Sequence, residues 1–183
     1  MDLATCQRKL LGLFRNAYSI QADEDAYIRE VAQSKELAEG RKNIHLWRVY
    51  VLERTCPLTI GLLRRRKLLE ETLDAFIMQQ NISPFRETQG PAFLERMGRH
   101  DDPLLASVAQ FELALMKVRQ GDAGSYVIPW NVEPHGVLHS LARDVSFPDD
   151  IPAGDYEIVV SGDLPGQLRI SERLNCSVDA NGE

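Results

Sequence analysis

The chain has few cysteines, and their spacing fits neither a metal site nor a redox site. Cys6, Cys56 and Cys176 are the three cysteines among 183 residues, and no two of them form a CxxC pair. This pattern indicates neither a zinc knuckle nor a redox dithiol, and reduced thiols are its simplest interpretation. Cys6 and Cys56 fall in apolar helical patterns, where cysteine behaves as a small core residue.

Signals for export, membrane insertion and nucleic-acid binding are also lacking. The N-terminal residues MDLATCQRKLLGLF do not have the basic-then-apolar layout of a signal peptide. No apolar run approaches the roughly 20 residues that span a bilayer, so we expect a cytoplasmic protein. The net charge of −6 and the pI of about 5.3 argue against a typical nucleic-acid binder, because neutralising phosphates needs a basic surface.

Motifs for catalysis and metal binding are absent or incomplete. The chain contains no GxSxG, no GxGxxG and no Walker-type phosphate loop. His135 and His139 are four residues apart, but Pro134 and Gly136 in the same segment make a regular helix across both doubtful, and no acid lies between them as in HExxH. His100 precedes two aspartates, which is more typical of helix capping than of a ligand set. No catalytic, cofactor or metal residue is therefore predicted.

What the chain does contain is the composition of a soluble globular protein. Hydrophobic residues make up 44% and charged residues 26%, and the length suits one domain or a domain with a small second lobe. Apolar residues recur every three to four positions over the first two thirds, which predicts helices. We expect a first helix over the stripe that starts at Leu3, a second from about Asp23 to a stop at Gly40, and a third through Trp47 that ends before Pro57. A fourth is expected from Leu58 or Thr59 to Asn81, a short one at Ala92–Met97 within a loop, and a fifth capped by Asp101 or Asp102 and ended by Gly121.

Beyond Gly124 the pattern becomes that of β-strands. Ser125–Val132, Asp155–Ser161 and Gln167–Leu174 are rich in β-branched or alternating residues, and a short helix is expected at Val137–Ala142. The predicted class is α+β, with a helical domain over residues 1–122, an antiparallel β-rich lobe over 123–178 and a polar tail over 179–183. Such a small sheet must lie on the helices, because an isolated hairpin is marginal in water.

Several features have both a structural and a functional interpretation. The run Arg64-Arg65-Arg66-Lys67 is either a solvated face with Glu70 and Glu71 as i,i+4 partners, or a docking surface for an acidic protein or peptide. Glu112 either points to solvent or is buried against a basic partner such as Arg48 or a cluster of N–H groups.

Two tryptophans and the C-terminal hairpin raise the same question. Trp47-Arg48 and Trp130 belong either to the core or to an interface, where aromatic and Arg side chains concentrate. The hairpin residues Tyr156, Ile158 and Val160, with Arg169, either form an edge that accepts an extended peptide as an extra strand or an edge that charges protect. The candidate peptide contacts are therefore these four residues, and the candidate partner contacts are Trp47, Arg48, Arg64, Arg65 and Trp130.

Four runs in this order resemble a known family. They are IHLWRVYVLERTCPLTIGLL, QGPAFLERM, DDPLLASVAQFELALMKV and IPWNVEPHGVLHSL, and they contain Trp47-Arg48, Gly90 and Phe93, Phe111-Glu112, and Trp130 with Pro134. The family is that of the partner proteins of multinuclear non-haem iron oxidative enzymes in ribosomal peptide modification, and its methanobactin branch is the most similar. The resemblance spans about residues 40–175 and rests on the order of diffuse motifs.

The resemblance implies a non-catalytic subunit that carries no cofactor. Such a subunit forms a heterodimer with a TIM-barrel iron enzyme, which holds the iron, and binds the leader of a precursor peptide. In the methanobactin branch the pair converts precursor cysteines into oxazolone and thioamide groups that later bind copper. Two alternatives stay open from the residues alone. One is a DNA-binding regulator, which the Arg64–Lys67 run favours, and the other is a free-standing enzyme that uses scattered His and Cys residues.

Overall fold

The chain folds into a layer of helices with a small sheet packed on it. The computed structural model describes residues 2–15, 17–79, 85–147 and 151–173. Within those ranges there are eight α-helices and three β-strands: α1 (Leu3–Phe14), α2 (Ala26–Gln33), α3 (Lys35–Thr55), α4 (Pro57–Arg66), α5 (Leu69–Gln79), α6 (Arg86–Met97), α7 (Pro103–Arg119), β1 (Ser125–Val132), α8 (Pro134–Ala142), β2 (Ala153–Ser161) and β3 (Leu168–Glu172). The predicted tail at residues 179–183 lies outside the described residues.

The second predicted helix ends earlier than expected. Gly40 lies inside α3 rather than at a helix end, and the chain turns instead at Ser34, whose hydroxyl caps α3 by accepting the N–H of Leu37 at 3.1 Å. The glycine serves packing: a Cβ at Gly40 would lie 2.8 Å from a ring carbon of Phe14. The prediction of a stop at Gly40 was therefore wrong, because the missing side chain makes room for α1.

The fourth predicted helix is two helices. Lys67 adopts left-handed backbone angles (φ 58°, ψ 29°) and ends α4, after which α5 begins at Leu69. The N–H of Leu68 donates to the carbonyl of Leu63 at 3.0 Å, which closes the turn. Glycine and asparagine are the usual residues in this conformation, so a lysine gave no sign of the break.

Two prolines lie in helices where loops were expected. Pro91 is inside α6, which begins at Arg86 and not at Ala92. Pro134 is the first residue of α8, where its missing N–H costs nothing, so α8 continues regularly through Gly136. The doubt about a regular helix at this point was therefore wrong.

The sheet and most of the helices share one hydrophobic core. The strands are antiparallel in the order β1-β2-β3, with Ile158 of β2 opposite Ile128 on one side and Ile170 on the other. Trp130 and Ile158 are buried in the same cluster as residues of α3 to α8. The α+β class with a small C-terminal sheet is confirmed, and the sheet is stabilised by packing on α7 rather than by a core of its own.

The first three helices form a second, smaller core around Leu13, Ile28 and Leu37. A buried carboxylate, that of Glu24, fixes this unit. Its Oε1 accepts the Lys9 ammonium at 2.6 Å, and its other oxygen accepts the Tyr18 hydroxyl. The bonds from Lys9 and then Tyr18 lower the pKa of Glu24 from 4.5 to about 2.

Glu24 should therefore stabilise this unit over an unusually wide pH range. Because its pKa is depressed in the folded state, its contribution is present above pH 4.5 and is lost as pH falls through about 2. We expect carboxyl-carbon NMR to place the Glu24 midpoint near 2, and Lys9→Met to raise that midpoint. A midpoint near the ordinary glutamate value in the parent protein would contradict the assigned bonds.

Candidate functional site

The two edges of the sheet are the first candidates for peptide binding. The sequence placed an open edge on Tyr156, Ile158 and Val160, but these residues lie in β2, which pairs with β1 on one side and β3 on the other. The side chains of Ile158 and Val160 are also fully buried. The predicted position of the edge was wrong, because β1, about 30 residues earlier in the sequence, covers that side of β2. Arg169 lies on β3 and is exposed.

The outer edge of β1 is closed at its centre. Pro129 has no N–H, and its carbonyl accepts the hydroxyl of Ser107 from α7 at 2.7 Å. In an antiparallel strand the N–H and the carbonyl of one residue point to the same side, so this bond identifies the outward side of β1. A proline there is tolerated because no ladder bond is lost. An added strand would meet α7 and find no donor at Pro129.

The outer edge of β3 is open in the part of the chain that the structure describes. The N–H of Arg173 donates to the carbonyl of Asp155 at 2.8 Å, so the odd-numbered residues of this strand face β2. Leu168, Ile170 and Glu172 therefore direct their N–H and carbonyl groups away from the sheet. No described residue bonds to these groups, and they form a short row of donors and acceptors on the surface.

The side chains of β3 hold the strand while leaving that row accessible. Leu168 and Ile170 are partly buried and pack on the main core. Arg173 donates two hydrogen bonds, of 2.8 and 3.1 Å, to one oxygen of Glu157 on β2. We name the outward backbone groups of Leu168, Ile170 and Glu172 the β3 edge. It is a strand edge that no described residue pairs with, of the kind that peptide-binding sheets use.

Two of the predicted partner contacts are internal. Trp130 is only 2% exposed, and its ring meets that of Phe111 edge-on at 6.1 Å between centroids. Arg48 is buried as well, donating to the side-chain oxygen of Gln89 at 2.8 Å and to the carbonyl of Ile77 at 3.0 Å. Neither residue can contact a partner, so both predictions of an interface role were wrong.

The basic run at residues 64–67 is largely occupied within the chain. Arg64 and Arg66 form ion pairs of 3.2 Å with Glu53 and Asp102 respectively. Arg65 donates bonds of 2.9 and 2.6 Å to two carbonyl oxygens at and beyond the end of α8. The expected partners Glu70 and Glu71 are not used, because the helix breaks at Lys67. Of the five predicted partner contacts, Trp47 and Arg64 remain at the surface.

The buried polar residue Glu112 caps a helix from a distance. Both carboxylate oxygens of Glu112 accept backbone N–H groups, from Leu58 at 2.8 Å and Thr59 at 2.9 Å, at the start of α4. Burial raises the pKa of Glu112 against the effect of these bonds. Burial, with the nearby Glu112 charge, raises the pKa of the Cys56 thiol to about 12. Burial therefore disfavours the thiolate, which is the nucleophilic form of cysteine.

Metal ligands and membrane helices are absent from the described residues. His135 and His139 lie on the exposed side of α8, and no group of three or more His, Cys, Asp or Glu side chains gathers anywhere in the described ranges. Cys176 lies outside those ranges. No described helix has the length and apolar content needed to cross a bilayer. Comparisons of the chain with protein-family models, curated proteins and solved structures gave no match.

Proposed function

We propose that this chain is a non-catalytic cytoplasmic subunit that captures an extended peptide along the β3 edge and presents it to an iron-dependent enzyme. The observation that carries the proposal is the row of outward backbone groups on β3, together with the closure of β1 by α7. The peptide is the leader of a ribosomally made precursor. The reaction that the partner carries out is conversion of precursor cysteines to oxazolone and thioamide groups, as the family resemblance of the sequence implies.

Strand addition suits recognition of a leader peptide. Main-chain hydrogen bonds supply affinity for any extended segment, and side chains of alternate residues supply specificity. An added strand would have every second side chain beside Arg169 or Ser171 on one face and beside Leu168 or Ile170 on the other. A peptide with apolar residues at alternate positions and an acidic residue near Arg169 would fit this pattern.

The proposal assigns iron to the partner enzyme. The described residues offer no set of three ligands, and the one buried thiol among them is held protonated. A cation centre of several irons needs carboxylates and imidazoles gathered in one place. The role of this chain in the reaction is therefore to bind and orient the peptide. The alternative of a DNA-binding regulator gains no support, since Arg64 and Arg66 already contact carboxylates.

Replacing Glu172 by proline tests the β3 edge directly. The N–H of Glu172 points outward and its side chain is exposed, so proline removes one edge donor without removing a β2–β3 bond. We expect Glu172→Pro to weaken binding of a fluorescein-labelled leader peptide by about five- to tenfold, the worth of about one main-chain bond. Fluorescence anisotropy measures the change.

Glu172→Ala is the matched control, because it removes the same charge and keeps the N–H. It should leave affinity within about twofold of the parent. Equal losses in the two variants would assign the effect to the side chain and reject strand addition at this edge. The wider proposal also requires a complex: co-expression with the proposed iron enzyme should yield one peak in size exclusion, and separate elution under all conditions would exclude it.

A further inference from the structure

One face of α3 carries side chains at a coiled-coil spacing but has little covering from its own chain. Its six positions recur at intervals of four and three residues, as the seam positions of a coiled coil do. Five of them are exposed and the glycine is half-buried. We name this face the α3 seam, and its members are Glu36, Gly40, Asn43, Trp47, Tyr50 and Arg54.

The C-terminal half of the α3 seam is an aromatic ridge with a cation. Trp47 and Tyr50 are 56% and 49% exposed, and their ring centroids are 5.7 Å apart. The guanidinium of Arg54 lies 5.8 Å from the Tyr50 ring centroid. No described carboxylate forms an ion pair with Arg54. Trp, Tyr and Arg are the residues that most often dominate binding energy at protein interfaces.

The N-terminal half of the α3 seam borders an apolar groove with an acidic rim. The groove has a volume of about 350 Å³ and lies between α1, α2 and the start of α3. Phe14 and Tyr27 contribute rings to it, and Glu30 and Glu36 contribute carboxylates. Neither acid forms an ion pair with a described residue. Gly40 lies against the Phe14 ring, so a side chain of α1 covers the seam at this point.

We infer that the occupant of the α3 seam is a second copy of this chain, bound antiparallel about a two-fold axis. The ridge and the groove are complementary in charge, with Arg54 on the ridge and Glu30 and Glu36 at the groove. Residues 36 and 54, 40 and 50, and 43 and 47 lie at equal separations from position 45. A two-fold axis there places Glu36 opposite the Arg54 of the second copy, Gly40 opposite its Tyr50 and Asn43 opposite its Trp47.

The first two of these oppositions are favourable, and the two-fold axis makes each occur twice. The carboxylate of Glu36 meets a guanidinium, and the large Tyr50 ring packs on the exposed face of Phe14, the ring that covers Gly40. A parallel arrangement would instead oppose Glu36 to Glu36 and Arg54 to Arg54, so charge selects the antiparallel one. The seam is about 27 Å long at about 1.5 Å per residue, which gives a two-helix contact extended at each end by a groove.

This dimer does not depend on the proposed function. The β3 edge contributes nothing to the α3 seam, so a failure of peptide binding and a failure of dimerisation would be separate results. The second copy also explains why two neighbouring large aromatic side chains remain exposed on α3, since contiguous exposed apolar patches often mark an interaction site.

Charge reversal tests the pairing. We expect the parent chain to dimerise in sedimentation velocity over about 1–100 μM, and Arg54→Glu or Glu36→Arg alone to weaken the dimer by on the order of tenfold or more, because each variant opposes like charges twice. An equimolar mixture of the two variants should recover a heterodimer with parent-like affinity, since every pair is then of opposite sign. Arg143→Glu, on an exposed arginine outside the seam, is the control and should not change the affinity.

Three results would overturn the inference. The first is a parent chain that stays monomeric at about 100 μM. The second is a mixture of the charge variants that does not associate, although circular dichroism shows both to be folded. The third is a parent that is monomeric alone but binds another protein, such as the proposed iron enzyme, through Trp47 and Arg54; the α3 seam would then have a different occupant. Trp47→Ala should weaken a true dimer by at least about tenfold.

Discussion

Replacing Glu112 by alanine is expected to destabilise the protein by about 3 kcal/mol, because a buried and a partly buried N–H group lose the one acceptor that the described residues give them. Glu112 lies on α7 and is almost fully buried, and its two oxygens accept the N–H groups of Leu58 and Thr59 at the start of α4. The residue before α4, Cys56, makes no side-chain capping bond. The carboxylate of α7 therefore acts as the cap of α4 and joins the two helices.

The size of this destabilisation follows from the buried position of the helix end that Glu112 caps. A local capping residue can be replaced in part by water, but α4 begins inside the protein, with Thr59 fully buried. Removing the carboxylate leaves two unsatisfied donors and a small cavity between α4 and α7. Glu112→Gln should cost less, because one carbonyl oxygen is kept, although its amide group then faces an N–H.

Glu133→Ala is the matched control for this prediction. Glu133 caps α8 with the same two-oxygen arrangement, accepting the N–H groups of His135 at 2.8 Å and Gly136 at 2.7 Å, but it is more exposed than Glu112. Water can replace much of what is lost, so we expect about 1 kcal/mol. Urea unfolding followed by circular dichroism gives both values. Equal costs for the two substitutions would show that burial does not set the worth of the Glu112 cap.

Glu112 also gives the stability a pH dependence of known sign. Burial raises its pKa in the folded state above the ordinary value. The folded state therefore holds this proton more tightly than the unfolded state, and the contribution of the group to stability falls as pH rises through the folded-state pKa. Glu24 acts in the opposite direction at lower pH, so comparing Glu112→Gln with the parent across pH separates the two.

Helix ends that depend on local chemistry could be predicted from the sequence. Asp102, one of the two expected caps, accepts the N–H groups of Leu104 and Leu105. Pro103 takes the first helical position and Gly121 adopts φ 92°, both as expected. The break at Lys67 could not be predicted, because a lysine in the left-handed conformation is set by packing between α4 and α5 rather than by its own preference. A helix boundary can be predicted from the local sequence only where the residue at that boundary favours the required conformation by itself.

The candidate site shows the same division between local and long-range information. The sequence indicated a C-terminal hairpin, and β2 and β3 are that hairpin. It could not show that β1 lies on the far side of β2, which moves the open edge to β3, because that pairing joins distant segments. The bond from Ser107 to Pro129, which closes the other edge, is equally invisible to patterns. Glu112 was correctly given N–H donors as one alternative, but their location was not predictable.

The second prediction of a large loss of stability concerns Arg48. The position of this residue in the structure differs most from the role that the sequence suggested. Next to Trp47 on α3 it resembles an interface anchor, yet it is buried and bonded to Gln89 of α6 and to the carbonyl of Ile77 near the end of α5. Gln89 in turn donates to the backbone carbonyl of Arg48 at 2.7 Å. No described carboxylate neutralises the guanidinium, and desolvation lowers the pKa of Arg48. A buried cation here depends on neutral acceptors alone.

Replacing Gln89 alone should therefore destabilise the protein more than replacing Arg48 and Gln89 together. We expect Gln89→Leu to destabilise the protein by about 3 kcal/mol, because the charge stays buried with one acceptor fewer, whereas Arg48→Met combined with Gln89→Leu should cost about 1 kcal/mol. The coupling between the two positions would then be about 2 kcal/mol or more in a double-mutant cycle. Leu46→Ala, an exposed position on the same helix, should stay within about 0.5 kcal/mol.

Urea unfolding of the parent, the two single variants and the double variant completes the cycle. It decides whether the Arg48–Gln89 network stabilises the fold or only compensates for burying the guanidinium. A double variant more stable than Gln89→Leu would show that the acceptor matters because the cation is present. Additive costs would instead show that each side chain contributes through its own packing. Such coupling would also account for the pairing of Arg48 with Gln89: once α3, α5 and α6 enclose the guanidinium, the amide of Gln89 is the side-chain acceptor that lets these three helices pack around it.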